Sequence, residues 1–413
     1  MRHLTRRAFV RESAIGAAAV AGGALALGAA PRPVADAHSG AASDVRPDTA
    51  TDAHVDAATE AHSGHMVQST VGDVGPDAIG IDPMRFLETF DTGTVSKLPD
   101  GRTLREWDIL AFDKQIEVAP GVFFPAWTYN GQVPGPTLRC TEGDLLRIRF
   151  KNAGTHPHTI HFHGFHPPSM DGFAPVVEQG ESFTYEFTAR PFGLHPYHCH
   201  AVPLKKHLHK GLYGALIIDP PGGRPPAREM VMVMNGFDTN FDGANEIYAV
   251  NSVAFHYQRH PIRVRRGDPL RVYLLNLTEF DPINSFHLHA GMFKLFKTGT
   301  RLDFHEFTDI VMLCQGERAV LDFTLDDPGL YMFHAHQSEL AELGWMGFFE
   351  SVDEAVWDAE AGAGAVAAGN DVGATTAATR SAGPTVIAGA PIASSAFAPA
   401  ADRTAFCDVG GAS

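Results

Sequence analysis

The sequence predicts an all-β protein of two tandem sandwich domains. Short runs of alternating apolar and polar residues are set off by Gly-containing turns. These runs recur in the same order in two halves of the chain, and matching points of both halves carry pairs of histidines. In the first half Glu142-Gly143-Asp144 reads as a turn and Leu145 to Phe150 as a strand; Arg266-Gly267-Asp268 and Leu270 to Leu275 are the counterparts. His161/His163 come next, matched by His287/His289. Gln179-Gly180-Glu181 then opens an alternating Phe183-Tyr185-Phe187 strand, as Gln315-Gly316-Glu317 opens Val320-Asp322-Thr324. His198/His200 and His334/His336 follow. Each half closes on Gly-x-x-Gly, at Gly211 and Gly214 and at Gly344 and Gly347, before a last apolar strand.

The ends of the 413-residue chain belong to neither domain. Arg2, Arg6, Arg7 and Arg11, followed by an Ala/Gly-rich run, make residues 1–37 an export signal. Thr5-Arg6-Arg7-Ala8-Phe9-Val10 fits the twin-arginine type, so a periplasmic or extracellular location is expected. Residues 38–80 form a low-complexity linker containing His38, His54, His62, His65 and Met66; a solvated spacer outweighs a copper-handling role. The domains are expected at 81–222 and 223–354, with an Ala/Gly-rich tail at 355–413. A formal charge of −16 disfavours nucleic acid and anionic membrane as partners. The Ala- and Gly-rich leader is a poor stable membrane anchor. Four cysteines offer little disulfide framework. Cys140 and Cys314, beside turn sequences, are left as either a pair or buried thiols.

Six His-x-His pairs occur where 22 histidines would give about one by chance. One of them, His198-Cys199-His200, offers two kinds of metal ligand on opposite faces of a strand. A thiolate with two imidazoles suits an electron-transfer copper, and paired imidazoles suit a cluster that meets oxygen. His158, an odd three residues before His161, would fall on the Cys199 face if that strand is regular. The positions of His158, Cys199, His207 and Leu212 are taken in the second half by Asn284, Ala335, Leu340 and Trp345, which cannot make a thiolate-imidazole site. The second half keeps only the other four histidines.

Pro134-Gly135-Pro136-Thr137, His158-x-x-His161-x-His163-Gly164, Met170-Asp171-Gly172, Tyr197-His198-Cys199-His200 and His207-x-x-x-Gly211-Leu212 together resemble the multicopper oxidases, over roughly residues 85–352. The small two-domain laccases with blue copper in the first domain are the nearest pattern. The resemblance implies two cupredoxin-like Greek-key β-sandwiches holding four coppers per chain. Type 1 copper would sit at His158, Cys199 and His207, with the apolar Leu212 in the axial position and so a relatively oxidising centre. His161 and His287 match type 2 ligands; His163, His198, His200, His289, His334 and His336 match the type 3 pair. The segment from His200 to His207 is longer than in larger laccases, so His209 competes with His207, though the spacing to Gly211-Leu212 favours His207. Asp171 matches an acidic residue that supplies protons during oxygen reduction, with a turn role as its rival. Glu339 and Glu342 read as structural or surface residues. The family pattern further implies electron acceptance at an exposed histidine edge of the blue site, O2 and a small reducing substrate as reactants, and a homotrimer with clusters between subunits. A copper nitrite reductase and a non-catalytic electron-transfer protein are the alternatives. Nitrite reductases of this layout place a catalytic Asp where this chain has His161.

Overall fold

A computed structural model describes residues 72–358, which form twenty strands and a few short helices. The expected signal peptide, most of the linker, nearly all of the tail and Cys407 lie outside the described residues. Among the described residues no helix is long and apolar enough to cross a membrane.

The first domain contains β1 (Thr94–Lys97), β2 (Thr103–Ala119), β3 (Val122–Tyr129), β4 (Leu138–Thr141), β5 (Leu145–Asn152), β6 (His161–Phe162), β7 (Ser182–Thr188), β8 (Gly193–His198) and β9 (Tyr213–Asp219). One sheet runs β1-β2-β5-β7 with β3 on β2, and the other runs β4-β9-β8-β6. The second domain contains β10 (Arg228–Phe237), β11 (Ile247–Val250), β12 (Ile262–Arg265), β13 (Leu270–Asn276), β14 (Ile283–Leu288), β15 (Phe293–Lys297) and β16 (Glu306–Thr308). It continues with β17 (Ile310–Cys314), β18 (Arg318–Phe323), β19 (Gly329–His334) and β20 (Met346–Val352). Its sheets run β11-β10-β13-β18-β15-β16 and β12-β20-β19-β14-β17.

Strand β5 shows why alternation produces this architecture. Leu146, Ile148 and Phe150 point into the first sandwich, while Arg147 and Arg149 point outward to Glu186 at 2.7 Å and Asp108 at 2.6 Å. The inner strands instead are buried on both faces. On β9, Leu216 and Ile218 fill the first sandwich, and Ala215 and Ile217 fill a second apolar layer shared with the other domain. On β10, Val231 and Val233 face that shared layer, whereas Met230, Met232 and Met234 fill the second sandwich. Strand β13 divides in the same way, with Tyr273 and Leu275 against Val272 and Leu274.

The molecule is therefore a stack of four sheets with three apolar layers between them. A buried ion network also joins the domains: Arg139 binds Asp219 and Glu229, and Arg271 binds Glu229 and Asp322. Domain geometry is set by this shared layer and clamp, beyond any restriction from the short connection after Asp219. The helix Pro83–Leu87, capped by Asp82 at 2.9 Å, packs Leu87 into the second domain's core although it precedes the first domain in sequence.

Candidate metal centres

His161 on β6 stands opposite His198 on β8, and His287 on β14 stands opposite His334 on β19. The repeat seen in sequence is thus a repeat of strand register. Each pairing carries a second histidine into contact with it. His163 Nε2 lies 3.2 Å from His198 Nε2, and His289 Nε2 lies 2.9 Å from His334 Nε2. His200 and His336 ring their respective groups, with centroids 5.4 Å from His161 and 5.3 Å from His287.

Backbone carbonyls fix the orientation of four of these rings. The Nδ1 atoms of His161, His198, His287 and His334 face the carbonyl oxygens of Asp171, Cys199, Asp309 and Ala335 at 2.7, 2.9, 3.0 and 2.5 Å. A carbonyl can only accept, so each Nδ1 carries the proton and each Nε2 presents a lone pair to the site. Burial disfavours the charged form of two of them most strongly: His163 is lowered to about 3 and His198 to about 4, with neighbouring histidines adding to the effect. His161, His289 and His334 are lowered for the same first reason.

Behind the first group lies a separate three-ligand site. His158 and Cys199 are fully buried and His207 is 2% exposed. Cys199 Sγ and His158 Nδ1 each lie 3.2 Å from His207 Nδ1, and the three donor atoms fall within 4.8 Å of one another. Burial lowers His158 to about 3 and His207 to about 4, and pushes the Cys199 thiol up. A thiolate in this position needs a cation beside it. The buried donor set of one sulfur and two neutral imidazoles fits copper better than hard, oxygen-seeking ions.

The local chain path does not follow the regular strands expected. Strand β8 ends at His198, and β6 is only two residues long. His158 reaches the Cys199 side through an isolated bridge to Val177, with hydrogen bonds of 3.0 and 3.1 Å. His207 comes from the helix Leu204–His209. Gly211, at φ 108°, then turns the chain so that Leu212 returns over the site, its carbonyl accepting from Cys199 N–H at 2.9 Å. Leu212 is fully buried.

His209 points the other way, between Phe124 and Phe280, and accepts from the Asp238 N–H at 3.2 Å. The geometry therefore favours His207 over its competitor. Little of the expected exposed histidine edge remains, His207 being 2% exposed. Trp127 packs beside both imidazoles, its ring 5.2 Å from His158 and 4.9 Å from His207. Cys140 is buried and Cys314 exposed, in different domains and both unpaired.

Asp171 lies beside the first four-histidine group. Its carboxylate is 3.3 Å from His161 Nδ1 and 3.7 Å from His166 Nε2. Gly172 makes this approach possible, because a Cβ there would meet the Ile160 carbonyl oxygen at 2.1 Å. His166 and Asp309 escaped the sequence reading. Asp309 sits just before β17, and its carboxylate is 3.8 Å from His287 Nδ1, without a Met-Asp-Gly turn to signal it. Thr159 and Ser285 were likewise missed; their hydroxyls accept from the N–H groups of His200 and His336 at 3.0 and 2.8 Å. Glu339 and Glu342 are exposed in the helix Ser338–Glu342.

The two four-histidine groups do not meet within the chain. The first lies on the second sheet of the stack and the other on the fourth, with the β11-β10-β13-β18 sheet between those layers. Stacked sheets are about 10 Å apart, which puts the layers themselves about 20 Å apart. Among the described residues, no ring contact or hydrogen bond links one group to the other.

A double sandwich with a buried Cys-His-His site and two four-histidine groups defines a protein built to hold several copper-like ions. Residues 113–223 and 223–355 match two family models, both described as multicopper oxidase. A crystal structure of a multicopper oxidase is 54% identical, with a TM-score of 0.67, and the match covers 68% of this chain and all of that one. The chain belongs to the multicopper oxidases, and membership implies that it binds copper through two cupredoxin-like sandwiches. The blue copper oxidase of Nitrosomonas europaea is 30% identical, with a TM-score of 0.53, over 61% of this chain and 87% of that one. A copper-containing nitrite reductase of Neisseria meningitidis is 28% identical over 245 residues, or 54% of this chain; the chain spans 63% of that relative's length.

Proposed function

We propose that the protein couples one-electron oxidation of a reducing substrate, a phenol, aromatic amine or metal ion, to four-electron reduction of O2 to water. Copper supplies the one-electron chemistry and the reaction with O2. His158, Cys199 and His207 would hold the type 1 ion, with Leu212 as its apolar axial neighbour. His161 and His287 would hold type 2 copper, and the remaining six paired histidines the type 3 pair, giving four ions per chain. Cys199 is bonded directly to His198 and His200, so a short covalent path joins the sulfur to the cluster-facing imidazoles. Asp171, beside His161, and His166, beside Asp171, would supply protons for that reduction.

The single observation that favours an oxidase over a nitrite reductase is the complete set of eight paired histidines, including His161. Copper analysis combined with oxygen uptake and nitrite reduction assays on the same preparation separates the two. Four coppers with oxygen uptake support this reading; two coppers with nitrite turnover replace it.

The layer separation supports a homotrimer in which the first domain of one chain faces the second domain of the next. Apolar residues exposed near the half-sites fit such contacts: Phe165, Phe173 and Val202 on one side, Met292, Phe307 and Met312 on the other. The N-terminal sequence supports export through the twin-arginine route.

A further inference from the structure

The three-ligand site is flanked by the Trp127 indole, which is itself held from both sides. Trp127 is 5% exposed and contacts His156 at 4.4 Å between centroids, closer than either ligand imidazole. His156 Nδ1 lies 2.9 Å from Thr155 Oγ1, and that hydroxyl donates to the exposed Asp113 carboxylate. The hydroxyl has only one proton, so His156 Nδ1–H must be the donor to Thr155. Asp113 and Thr155 thereby fix the His156 ring against the indole. On the helix side, exposed Lys206 sets its ammonium 5.2 Å from the Trp127 ring, within cation–π range. Beneath the indole, Cys199 and His158 have no exposed surface and His207 almost none.

We propose that Trp127, positioned by His156 and the Asp113–Thr155 pair, is the specificity-determining shield of the type 1 site. It favours donors that pass an electron across the indole over small aromatics that gain from touching a ligand imidazole, and so ranks the donor classes of the proposed reaction. The proposal deepens the oxidase reading and rests on it for the electron transfer itself. An outer-sphere donor such as hexacyanoferrate(II) gives up one electron, iron(II) becoming iron(III) as copper(II) becomes copper(I), and no proton moves. A phenol gives up one electron and releases its hydroxyl proton to solvent, and it gains most from direct approach.

Two measurements test this. The first is iodoacetamide alkylation of the copper-free full chain, quantified on the Cys199 peptide. The buried Cys140 peptide reports any global unfolding. Trp127→Ala should speed Cys199 alkylation about tenfold while Cys140 stays protected, and Trp127→Phe should not. The second is anaerobic bleaching of the blue band in the copper-loaded protein. Trp127→Ala should raise the rate with a methoxyphenol relative to hexacyanoferrate(II), Thr155→Ala should raise it less, and Trp127→Phe should preserve the parent ratio. Unchanged Cys199 alkylation in Trp127→Ala, or an unchanged ratio of the two donors, overturns the proposal. A parent protein with no blue band would defeat the oxidase reading instead, while alkylation would still decide whether Trp127 is the shield.

Discussion

Cys199 N–H donates to Leu212 O at 2.9 Å, and Leu212 N–H donates to His207 O at 3.3 Å. In the second domain Ala335 donates to Trp345 O at 3.2 Å, and Trp345 to Leu340 O at 3.0 Å. The backbone frame is the same, but the space behind it is filled differently. Trp345 is fully buried against Phe286 and Phe333, while Asn284 bonds to Thr278 at 3.1 Å. A close-packed interior tolerates the missing ligand set because side-chain volume takes its place. The cluster-facing sides stay alike: both have the paired register, the Nδ1-to-carbonyl bonds and a hydroxyl under the last histidine. The frame can therefore persist without the blue-site ligands, and only the first domain combines the two sites back to back.

Cys199→Ser gives the largest expected effect on this comparison. It makes the first domain resemble the second behind the frame, so it should abolish the blue absorption, remove one copper per chain and stop turnover while leaving the other coppers bound. Metal analysis with visible spectroscopy checks it. Loss of all copper would mean that the two faces of the first domain are not separable.

The acidic neighbours give a smaller contrast. Asp171 sits beside both His161 and His166, whereas the Asp309 carboxylate is more distant from its histidine, and the bonds to the ligand Nδ1 atoms come from main-chain carbonyls. Asp171→Asn should slow reoxidation by O2 about tenfold or more, with blue-site reduction unchanged, and Asp309→Asn should do less. Stopped-flow measurement of the two half-reactions distinguishes these outcomes; equal slowing of both halves would return Asp171 to a turn role.

The smallest expected effect concerns pH and the copper-free chain. Burial lowers His158 and His163 to about 3, and His195, His198, His207 and His209 to about 4, from an ordinary value of 6.5. Between those values the unfolded chain binds more protons than the folded one, so stability rises with pH. The contribution is complete above about 6.5 and is lost as pH falls toward 3. Denaturant midpoints should decline across that window, and more in the first domain if the two can be resolved, because these histidines all belong to it whereas the second domain has His256 lowered to about 4.

Much of the site was legible because strand register preserves sequence spacing. His161 pairs with His198 and His287 with His334 as the repeat requires, and alternation in β5 marks the inward residues correctly. What was not legible depends on chain paths between strands. His158 arrives through a bridge, not a continuous strand, and His209 turns into an aromatic pocket beside Asp238. Asp309 and Trp127 reach their sites from strands or turns remote in sequence, so no local pattern identifies them.

We propose that a complete cluster needs the first domain of one chain and the second domain of another. Co-expression of a His163→Ala chain with a His334→Ala chain tests it most directly. Each variant alone should be inactive, because every interface in its ring lacks a ligand. Mixed rings should regain oxygen uptake, since both lesions can fall in one interface and leave another whole. Mixed assemblies with no recovered activity, or full oxygen uptake by a monomer in sedimentation at assay concentration, would contradict the account.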